Sequence, residues 1–241
     1  MLERLANEIP RFFSAQNVVL LLEAMGMTLA LTVVGCVLGF LLAFVIVLMR
    51  QTPGWLALPI RLVGILYVEI FRRIPFLVVT YLVLFFIQAF VSSASLFAIA
   101  VIAICIYSTA YTAEIIRGGF ESVARQQTEA AAAMNFSRWQ TLTSVIIPQS
   151  WPVILPPAVA FAVGFIKDTA LVSQVGVFEL TFRGKELNNQ GFSALLVFGT
   201  IAFLYFAMSY PLSRWGRWLE QRLASSPSKR SQQRLRPAHG P

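Results

Sequence analysis

Only a few residues of this 241-residue chain are suited to chemistry, and the most informative ones interrupt or end long apolar stretches. Lys167 and Asp168 are adjacent and precede Thr169, and Glu114 ends another stretch. An ionisable group at the bilayer centre costs about 2.5–3.5 kcal/mol. Adjacent helical residues do not face each other, so Lys167 and Asp168 each need a partner. An interhelical ion pair, Lys167 reaching the membrane surface, and a polar pathway for a solute all stay open. For Glu114, a pair with Arg117 is favoured over ligand contact.

Other kinds of chemistry lack their residues in this sequence. His239 is the single histidine, Cys36 and Cys105 lie within apolar stretches, and no metal-ligand or nucleophile pattern accompanies them. The Gly184–Glu186 segment reads Gly-Lys-Glu, whereas a phosphate-binding loop needs an upstream glycine and a Ser or Thr after the lysine. We therefore predict a chain that is not an enzyme and binds no metal or cofactor, so that any nucleotide hydrolysis belongs to another polypeptide.

The composition predicts a membrane protein. Hydrophobic residues make up 57% of the chain and charged residues 12%, whereas about a quarter of a soluble domain is charged. About 20 apolar residues cross the hydrocarbon core, and four stretches without charge reach that length: 24–49, 74–113, 139–166 and 187–213. The second is long enough for two spans and has a serine-rich turn at 92–95. We predict an all-α integral membrane protein with five helices, near 19–48, 75–91, 96–120, 153–182 and 192–220.

The basic residues predict the orientation of these helices. If the five helices alternate across the membrane, fourteen of the nineteen Lys and Arg residues fall on one side and four on the other. Basic residues concentrate in cytoplasmic loops, so the N-terminus is predicted outside and the C-terminus inside. This placement also argues against nucleic-acid binding. The fourteen are Arg50, Arg61, Arg72, Arg73, Arg117, Arg125, Arg138, Arg214, Arg217, Arg222, Lys229, Arg230, Arg234 and Arg236.

Three regions follow along the chain. Residues 1–18 are predicted to be an extracytoplasmic segment without the features of a cleaved signal peptide. Residues 19–223 form the transmembrane domain. Residues 224–241 lack apolar periodicity and are predicted to be a disordered, basic cytoplasmic tail.

A polar segment at 125–147, between the third and fourth spans, is predicted to form two short helices. The run Glu129–Ala133 contains four alanines, which favour helix strongly. Asn135 is suited to the left-handed residue that follows a helix. Ser137, with a glutamine three residues later, fits the start of a second helix closed by a capping box. Pro148 is predicted to end that helix because proline lacks the N–H donor and clashes with the preceding turn.

Two interpretations of this segment are open. It is either an amphipathic connector on the membrane surface or an element that docks into another protein. In the docking interpretation, small residues such as Ala130 and Ala131 allow close entry into a groove, and Glu129 supplies an oriented charge.

The same segment resembles the cytoplasmic coupling motif of ABC-importer permeases, which reads E-A-A, three residues, G, nine residues and I-x-L-P. Glu129, Ala130 and Ala131 supply its beginning, and the sequence from 145 to 148 supplies its end as V-x-I-P. Asn135 takes the place of the glycine and can adopt the same left-handed geometry at a slightly greater cost.

Further blocks are similar to the polar amino-acid permeases of bacterial uptake systems. They lie at 28–39, 67–75, 107–119 and 167–180, and the likeness extends from about residue 20 to 223. Arg73, Gln126 and Asn135 stand where that family usually has glycine.

The resemblance implies a type I ABC importer permease fold and ATP-driven uptake of polar amino acids across a bacterial inner membrane. It implies as partners two cytoplasmic ATPase subunits, a second permease subunit that is identical or homologous, and an extracytoplasmic solute-binding protein. The residues expected to couple to the ATPase are Glu129, Ala130, Ala131, Asn135, Ser137 and Pro148. Those expected along the translocation pathway are Glu114, Lys167, Asp168 and Thr169.

Two alternatives remain. The chain could belong to an ABC importer of another small solute, such as methionine or a quaternary ammonium compound. A secondary transporter is less favoured, because such proteins carry internal repeats with paired broken helices and no block of this sequence recurs.

Overall fold

The computed structural model describes residues 2–224, with side chains from 7 to 223. All regular secondary structure in that range is helical. The elements are α1 (Leu2–Phe12), α2 (Ala15–Gln51), α3 (Leu58–Phe71), α4 (Phe76–Phe90), α5 (Leu96–Glu121), α6 (Arg125–Ala133), α7 (Arg138–Thr141), a π-helical segment (Leu142–Ile146), α8 (Ile147–Asp168), a 3₁₀ segment (Thr169–Val175), α9 (Leu180–Asn189) and α10 (Ala194–Ala224). The tail predicted to be disordered lies outside the described residues, apart from Ala224 at the end of α10.

The number of spans agrees with the sequence prediction. Four helical stretches between residues 2 and 224 are long and apolar enough to cross a membrane: Ala15–Gln51, Leu96–Glu121, Arg138–Val175 and Ala194–Leu223. A fifth arises if α3 and α4, which meet at a bend of 115°, count as one span. The prediction of an all-α membrane protein with about five spans is confirmed. The second span contains more than the predicted 75–91, because α3 precedes the break at Pro75.

The predicted limits of the fourth span were wrong. Helical structure begins at Arg138 rather than 153 and tightens into a 3₁₀ segment after Asp168. It stops at Gly176, whose φ of +87° lies in the left-handed region that glycine enters without steric cost. Lys167 and Asp168 therefore lie at the end of α8 and not in the middle of one continuous helix.

Helices α2 and α5 form the centre of the fold, and glycine allows their close approach. A Cβ atom placed on Gly35 would overlap the side chain of Ile104, and one on Gly39 would overlap Ser108. The Ser108 hydroxyl instead donates to the carbonyl of Gly35 at 3.1 Å. The glycine pair of the first span therefore packs two helices together, as small residues commonly do in membranes.

Helix α1 folds back onto the connection between α9 and α10. Glu8 accepts the backbone N–H of Ser193 at 2.7 Å. The fully buried ring of Phe12 lies 5.4 Å from that of Phe192 in an edge-to-face arrangement. This helix falls in the N-terminal segment, for which the sequence pattern predicted no element.

A buried carboxylate joins α9 to α10. Glu179 is fully buried and begins α9, accepting the N–H of Phe182 at 2.9 Å. Its other oxygen accepts the hydroxyl of Tyr205 at 2.6 Å. Burial raises the pKa of the Glu179 carboxyl above its usual value, although these hydrogen bonds act in the opposite direction.

Candidate functional site

The segment between α5 and α8 has the local structure that its sequence predicted. After α6, Asn135 adopts a φ of 58°. Its N–H donates to the carbonyl of Ala132 at 2.9 Å, and the N–H of Phe136 donates to that of Ala131 at 3.0 Å. This is the Schellman pattern of helix termination. The predicted left-handed geometry of Asn135 is confirmed.

The second helix of the segment begins with the predicted capping box. The Ser137 hydroxyl accepts the backbone N–H of Gln140 at 3.2 Å, and the Gln140 side chain accepts the N–H of Ser137 at 2.8 Å. Two orphan donors at the helix start are thereby satisfied. The junction of α6 and α7 is therefore held by hydrogen bonds on both sides of Asn135.

The prediction that Pro148 ends this helix is wrong. Helical structure runs from Arg138 through the π-helical segment into α8. The N–H of Ile147 donates to the carbonyl of Leu142, five residues earlier. This wide turn precedes Pro148, which then occupies the first turn of α8, where a missing N–H is tolerated. The segment at 125–147 is consequently joined to α8 by continuous helical structure.

The predicted docking residues divide into exposed and buried ones. Glu129 is exposed, and its carboxylate accepts a hydrogen bond from Arg125 at 2.9 Å. Ala130 is also exposed, but Ala131 is only 1% exposed. Ala131 therefore packs within its own chain, and the outward face of α6 is formed by Glu129, Ala130 and the other exposed alanines.

Sequence reasoning missed an apolar tip on this segment. We use "apolar tip" for Met134, Phe136 and Trp139, which surround Asn135 and are 62%, 37% and 65% exposed. An exposed tryptophan close to two other exposed apolar side chains forms a patch of the kind that a partner or the membrane interface covers. The signal was present in the sequence, as three large apolar side chains within six positions of a polar loop.

The segment at 125–147 is connected to the spans by close packing. Gly119, near the end of α5, has no room for a Cβ because Ile154 of α8 lies against it. Ile154 is fully buried and belongs to one apolar cluster with Phe120 and Leu142 of the π-helical segment. A displacement of α6 and α7 would therefore be transmitted to α5 and α8.

Glu114 lies at the centre of a charged cluster and not in an open pathway. Its carboxylate pairs with Arg117 at 2.9 Å, which confirms the predicted pair, and also with Arg50 of α2. Arg72 lies 3.8 Å away, and the Glu114 side chain is 16% exposed. Arg50 and Glu114 each end an apolar stretch on the same predicted side of the membrane, and this signal could have identified the pair.

Aromatic side chains hold the bend between α3 and α4 against α5. The Tyr111 hydroxyl donates to the carbonyl of Arg72 at 3.2 Å, and the Arg72 guanidinium lies 5.6 Å from the Tyr111 ring centre. Tyr107 donates to the Tyr111 hydroxyl at 3.0 Å. The Tyr111 ring stacks on Phe161 of α8, 5.5 Å away. These residues form a continuous surface that extends along α8 towards Phe165.

The three residues at the end of α8 differ in exposure. Lys167 and Asp168 are both exposed, and neither forms a hydrogen bond or ion pair with any side chain from 7 to 223. Thr169 is fully buried, and its hydroxyl donates to the carbonyl of Ile166 at 2.6 Å. Any partner of Lys167 or Asp168 must therefore come from outside the described chain, whereas Thr169 is satisfied internally.

The positions of Arg73 and Gln126 do not require glycine. Arg73 pairs with Glu69 on the surface, and Gln126 is exposed. Among the non-glycine residues of 2–224, only Asn135 has a positive φ. The local geometry at Arg73 and Gln126 is therefore accessible to ordinary residues.

The structure combines an exposed segment at 125–147 with a set of packed apolar spans. The sequence profile described as "binding-protein-dependent transport system inner membrane component" matches residues 35–225. The chain belongs to this family. It is a multi-pass permease of the inner membrane and a transport subunit rather than an enzyme. It works with a separate ATPase and a substrate-binding protein.

Individual relatives of the permease agree with the family. The glutamine transport system permease protein GlnP of Escherichia coli is 34% identical over 85% of this chain and 93% of its own length. The L-cystine transport system permease protein TcyB of Bacillus subtilis is 33% identical over 81% and 83%. A crystal structure titled as an amino acid ABC transporter with histidines is 31% identical, covers 86% of this chain and 95% of its own, and has a TM-score of 0.79. The resemblance and fold predicted from the sequence are confirmed.

Proposed function

We propose that this permease forms half the pore of an ABC importer that moves polar amino acids into the cytoplasm. The observation that supports this most directly is its likeness, over more than four fifths of the chain, to permeases named for glutamine and for cystine. The solved structure reported above is also titled as an amino acid transporter.

The test is uptake by the complete importer in proteoliposomes. We expect ATP-dependent accumulation of one or more labelled polar amino acids, with glutamine and cystine tried first. Labelled methionine and a labelled quaternary ammonium compound are tested for uptake in the same way, as solutes of different chemistry. Uptake of only one of these two, with no polar amino acid carried, contradicts the proposed substrate class.

The ATPase is proposed to dock on the coupling segment at 125–147. The exposed surface of this segment combines Glu129 and Ala130 with the apolar tip. A binding hot spot usually has an aromatic residue that becomes buried in the contact and is surrounded by polar groups. Asn135 and Ser137 shape the turn that presents this surface, and Pro148 begins the span connected to it. A rigid connection is required, because coupling between sites depends on packed elements with discrete arrangements.

Two ATPase subunits, a second permease subunit and an extracytoplasmic solute-binding protein complete the proposed assembly. Lys167 and Asp168 are proposed to line the solute pathway at the contact between the two permease subunits. Their charged groups are exposed at the end of an apolar helix and have no ion-pair partner among the described residues of their own chain. Lipid exposure of both would be costly. Thr169 and Glu114 are proposed to support the pathway by packing and ion pairing, since neither is open to a solute in this structure.

The N-terminus is proposed to lie outside and the C-terminus in the cytoplasm. The supporting observation is the excess of basic residues on the side that carries the coupling segment. This orientation places α9 outside and the coupling segment beside the ATPase.

A further inference from the structure

A groove of ≈540 Å³ separates α1 from the beginning of α10. Its lining is apolar except for Thr200, whose hydroxyl already donates to the carbonyl of Leu196 at 2.8 Å. No polar group in the groove therefore lacks a partner or requires a polar ligand. The lining residues are Ile9, Phe13, Leu195, Leu196, Gly199, Thr200, Phe203 and Leu204.

The helix on one side of the groove is fixed by contacts outside the groove's lining. The hydrogen bond from Ser193 to Glu8 fixes α1 to the start of α10. The side chain of Asn17 donates to the carbonyls of Arg11 and Phe12, at 3.3 and 3.1 Å, and holds the turn between α1 and α2. None of the residues in these contacts lines the groove.

One of the residues that line the groove on α10 is a glycine, Gly199. A Cβ placed on Gly199 would meet nothing within 4 Å. This glycine is therefore not required for packing inside the chain, in contrast to Gly35 or Gly119. The absent side chain instead adds depth to the groove.

The dimensions of the groove match one leaflet of a bilayer. From Leu195 to Leu204, α10 rises by about 14 Å at 1.5 Å per residue, and the hydrocarbon core is roughly 30 Å thick. The stretch lies in the first turns of a helix that is long and apolar enough to cross the membrane. An apolar groove along this part of a membrane-spanning helix is accessible to a lipid chain.

The surrounding surface of α10 favours lipid over another protein helix. The row formed by Leu195, Gly199, Phe203, Phe206 and Tyr210 follows one face of the helix and is exposed along its whole length. Apart from the glycine, its members are large. Helix contacts in membranes are enriched in small residues that allow backbones to approach, so this row is suited to lipid. The exposed charges that require a protein partner lie elsewhere, at Lys167 and Asp168.

We infer that the groove between α1 and α10 binds one acyl chain of a membrane phospholipid and holds it in place. Ile9 of α1 and Phe13, which follows that helix, cover one side of the chain. Gly199 leaves room for the chain on α10, and Phe203 lies one turn further along that helix. Exposed Arg11 lies on α1 about 200° around the helix from Ile9, at 100° per residue, and so on the opposite face of that helix.

The test uses the purified importer in vesicles of phosphatidylglycerol that contain a phospholipid with a photoreactive group in its acyl chain. We expect cross-links to concentrate on 195–204 and on Ile9 and Phe13. Mass spectrometry of the detergent-washed complex should also show one retained phospholipid per permease chain. The variant Gly199→Leu places a large side chain in the groove. It should lose both the concentrated cross-links and the retained phospholipid. Gly26→Leu is the matched control, because a Cβ at Gly26 of α2 also meets nothing within 4 Å.

Two outcomes overturn the inference. Equal labelling of all exposed apolar helix faces, unchanged in Gly199→Leu, means that only bulk lipid contacts the groove. A Gly199→Cys variant that forms disulfides with another subunit means that protein occupies it. If Gly199→Leu does not assemble, Phe203→Ala removes an exposed wall instead and should weaken retention of the phospholipid. Unchanged retention in that variant contradicts the inference as well.

Discussion

The carboxylate of Glu114 and the guanidinium of Arg50 form an ion pair between the ends of α5 and α2, although 64 positions separate them in the chain. Arg117 binds the same carboxylate through two nitrogens, at 3.0 and 2.9 Å. Glu114 is thus the counter-charge that Arg50 and Arg117 share, and Arg117 has Glu121 as a second partner.

The first prediction concerns this pair. Glu114→Gln leaves Arg50 and Arg117 without their shared counter-charge, and we expect a loss of about 1–3 kcal/mol in the free energy of unfolding. Glu121→Gln is the matched control, because Glu121 also lies on α5 and also pairs with Arg117 but is 62% exposed. An exposed pair contributes at most about 1 kcal/mol. Thermal unfolding of the purified permease measures both. Equal losses of stability in the two variants would show that Glu114 contributes no more than an exposed ion pair does.

The second prediction tests docking of the ATPase. Trp139→Ala removes the largest part of the apolar tip, and we expect ATPase binding to weaken by about 2 kcal/mol or more, which is roughly thirtyfold. Ala130→Asp should act in the same direction, since it places an unpaired charge in the contact. The control is Trp55→Ala, which removes an even more exposed tryptophan from the connection between α2 and α3. Co-purification of the ATPase and ATP-dependent uptake are measured together. Wild-type association in both coupling variants would make the segment a surface connector.

The third prediction separates a pathway from a structural role for Asp168. Asp168→Asn keeps the shape of the side chain and removes its charge. We expect uptake to fall about tenfold or more, equivalent to about 1.4 kcal/mol in the barrier, with normal abundance of the permease; Lys167→Gln should behave similarly. Thr169→Val is the contrasting variant, because a fully buried hydroxyl bonded to its own helix affects stability rather than uptake per molecule. Reduced abundance of Asp168→Asn would favour a structural ion pair with another subunit, and unchanged uptake would remove Asp168 from the pathway.

The fourth prediction follows from the raised pKa of Glu179. The folded state binds the proton more tightly than the unfolded chain, so this group's contribution to stability is complete below its usual pKa of 4.5 and is lost as the pH rises through the folded value. We expect the stability of the wild type, relative to Glu179→Gln, to fall over that window. Glu186→Gln removes a carboxylate that pairs with Arg183 on the same helix and controls for general charge effects. A pH-independent difference between wild type and Glu179→Gln contradicts the assignment.

The fifth prediction tests the orientation. A reporter fused at Gln190, which is exposed at the end of α9, should report the extracytoplasmic side. A fusion at the C-terminus should report the cytoplasm. Reversal of either result would invert the proposed topology and remove the coupling segment from the compartment of the ATPase.

Local structure could be predicted from the sequence because its causes lie within a few residues. The left-handed turn at Asn135 and the capping box at Ser137 are formed by neighbours in the chain. The apolar stretches likewise predicted the spans, since the requirement to cross the hydrocarbon core acts on every segment separately. The same reasoning overlooked the wide turn before Pro148, because the hydrogen-bond shift there leaves no simple pattern of residue types.

Which side of each element faces the interior was decided only by the tertiary structure. The alanines of α6 are alike in sequence, yet Ala131 is buried and Ala130 is exposed, because the π-helical segment and α7 pack against α6 and not every alanine faces them. The sequence determined that Glu114 pairs with Arg117, one helical turn away, whereas its contact with Arg50 required α2 and α5 to meet. Lys167 and Asp168 were recognisable as costly charges from sequence alone. Their lack of an ion-pair partner among the described residues became apparent only when the surrounding helices were in place, because such a partner can come from any element that packs nearby.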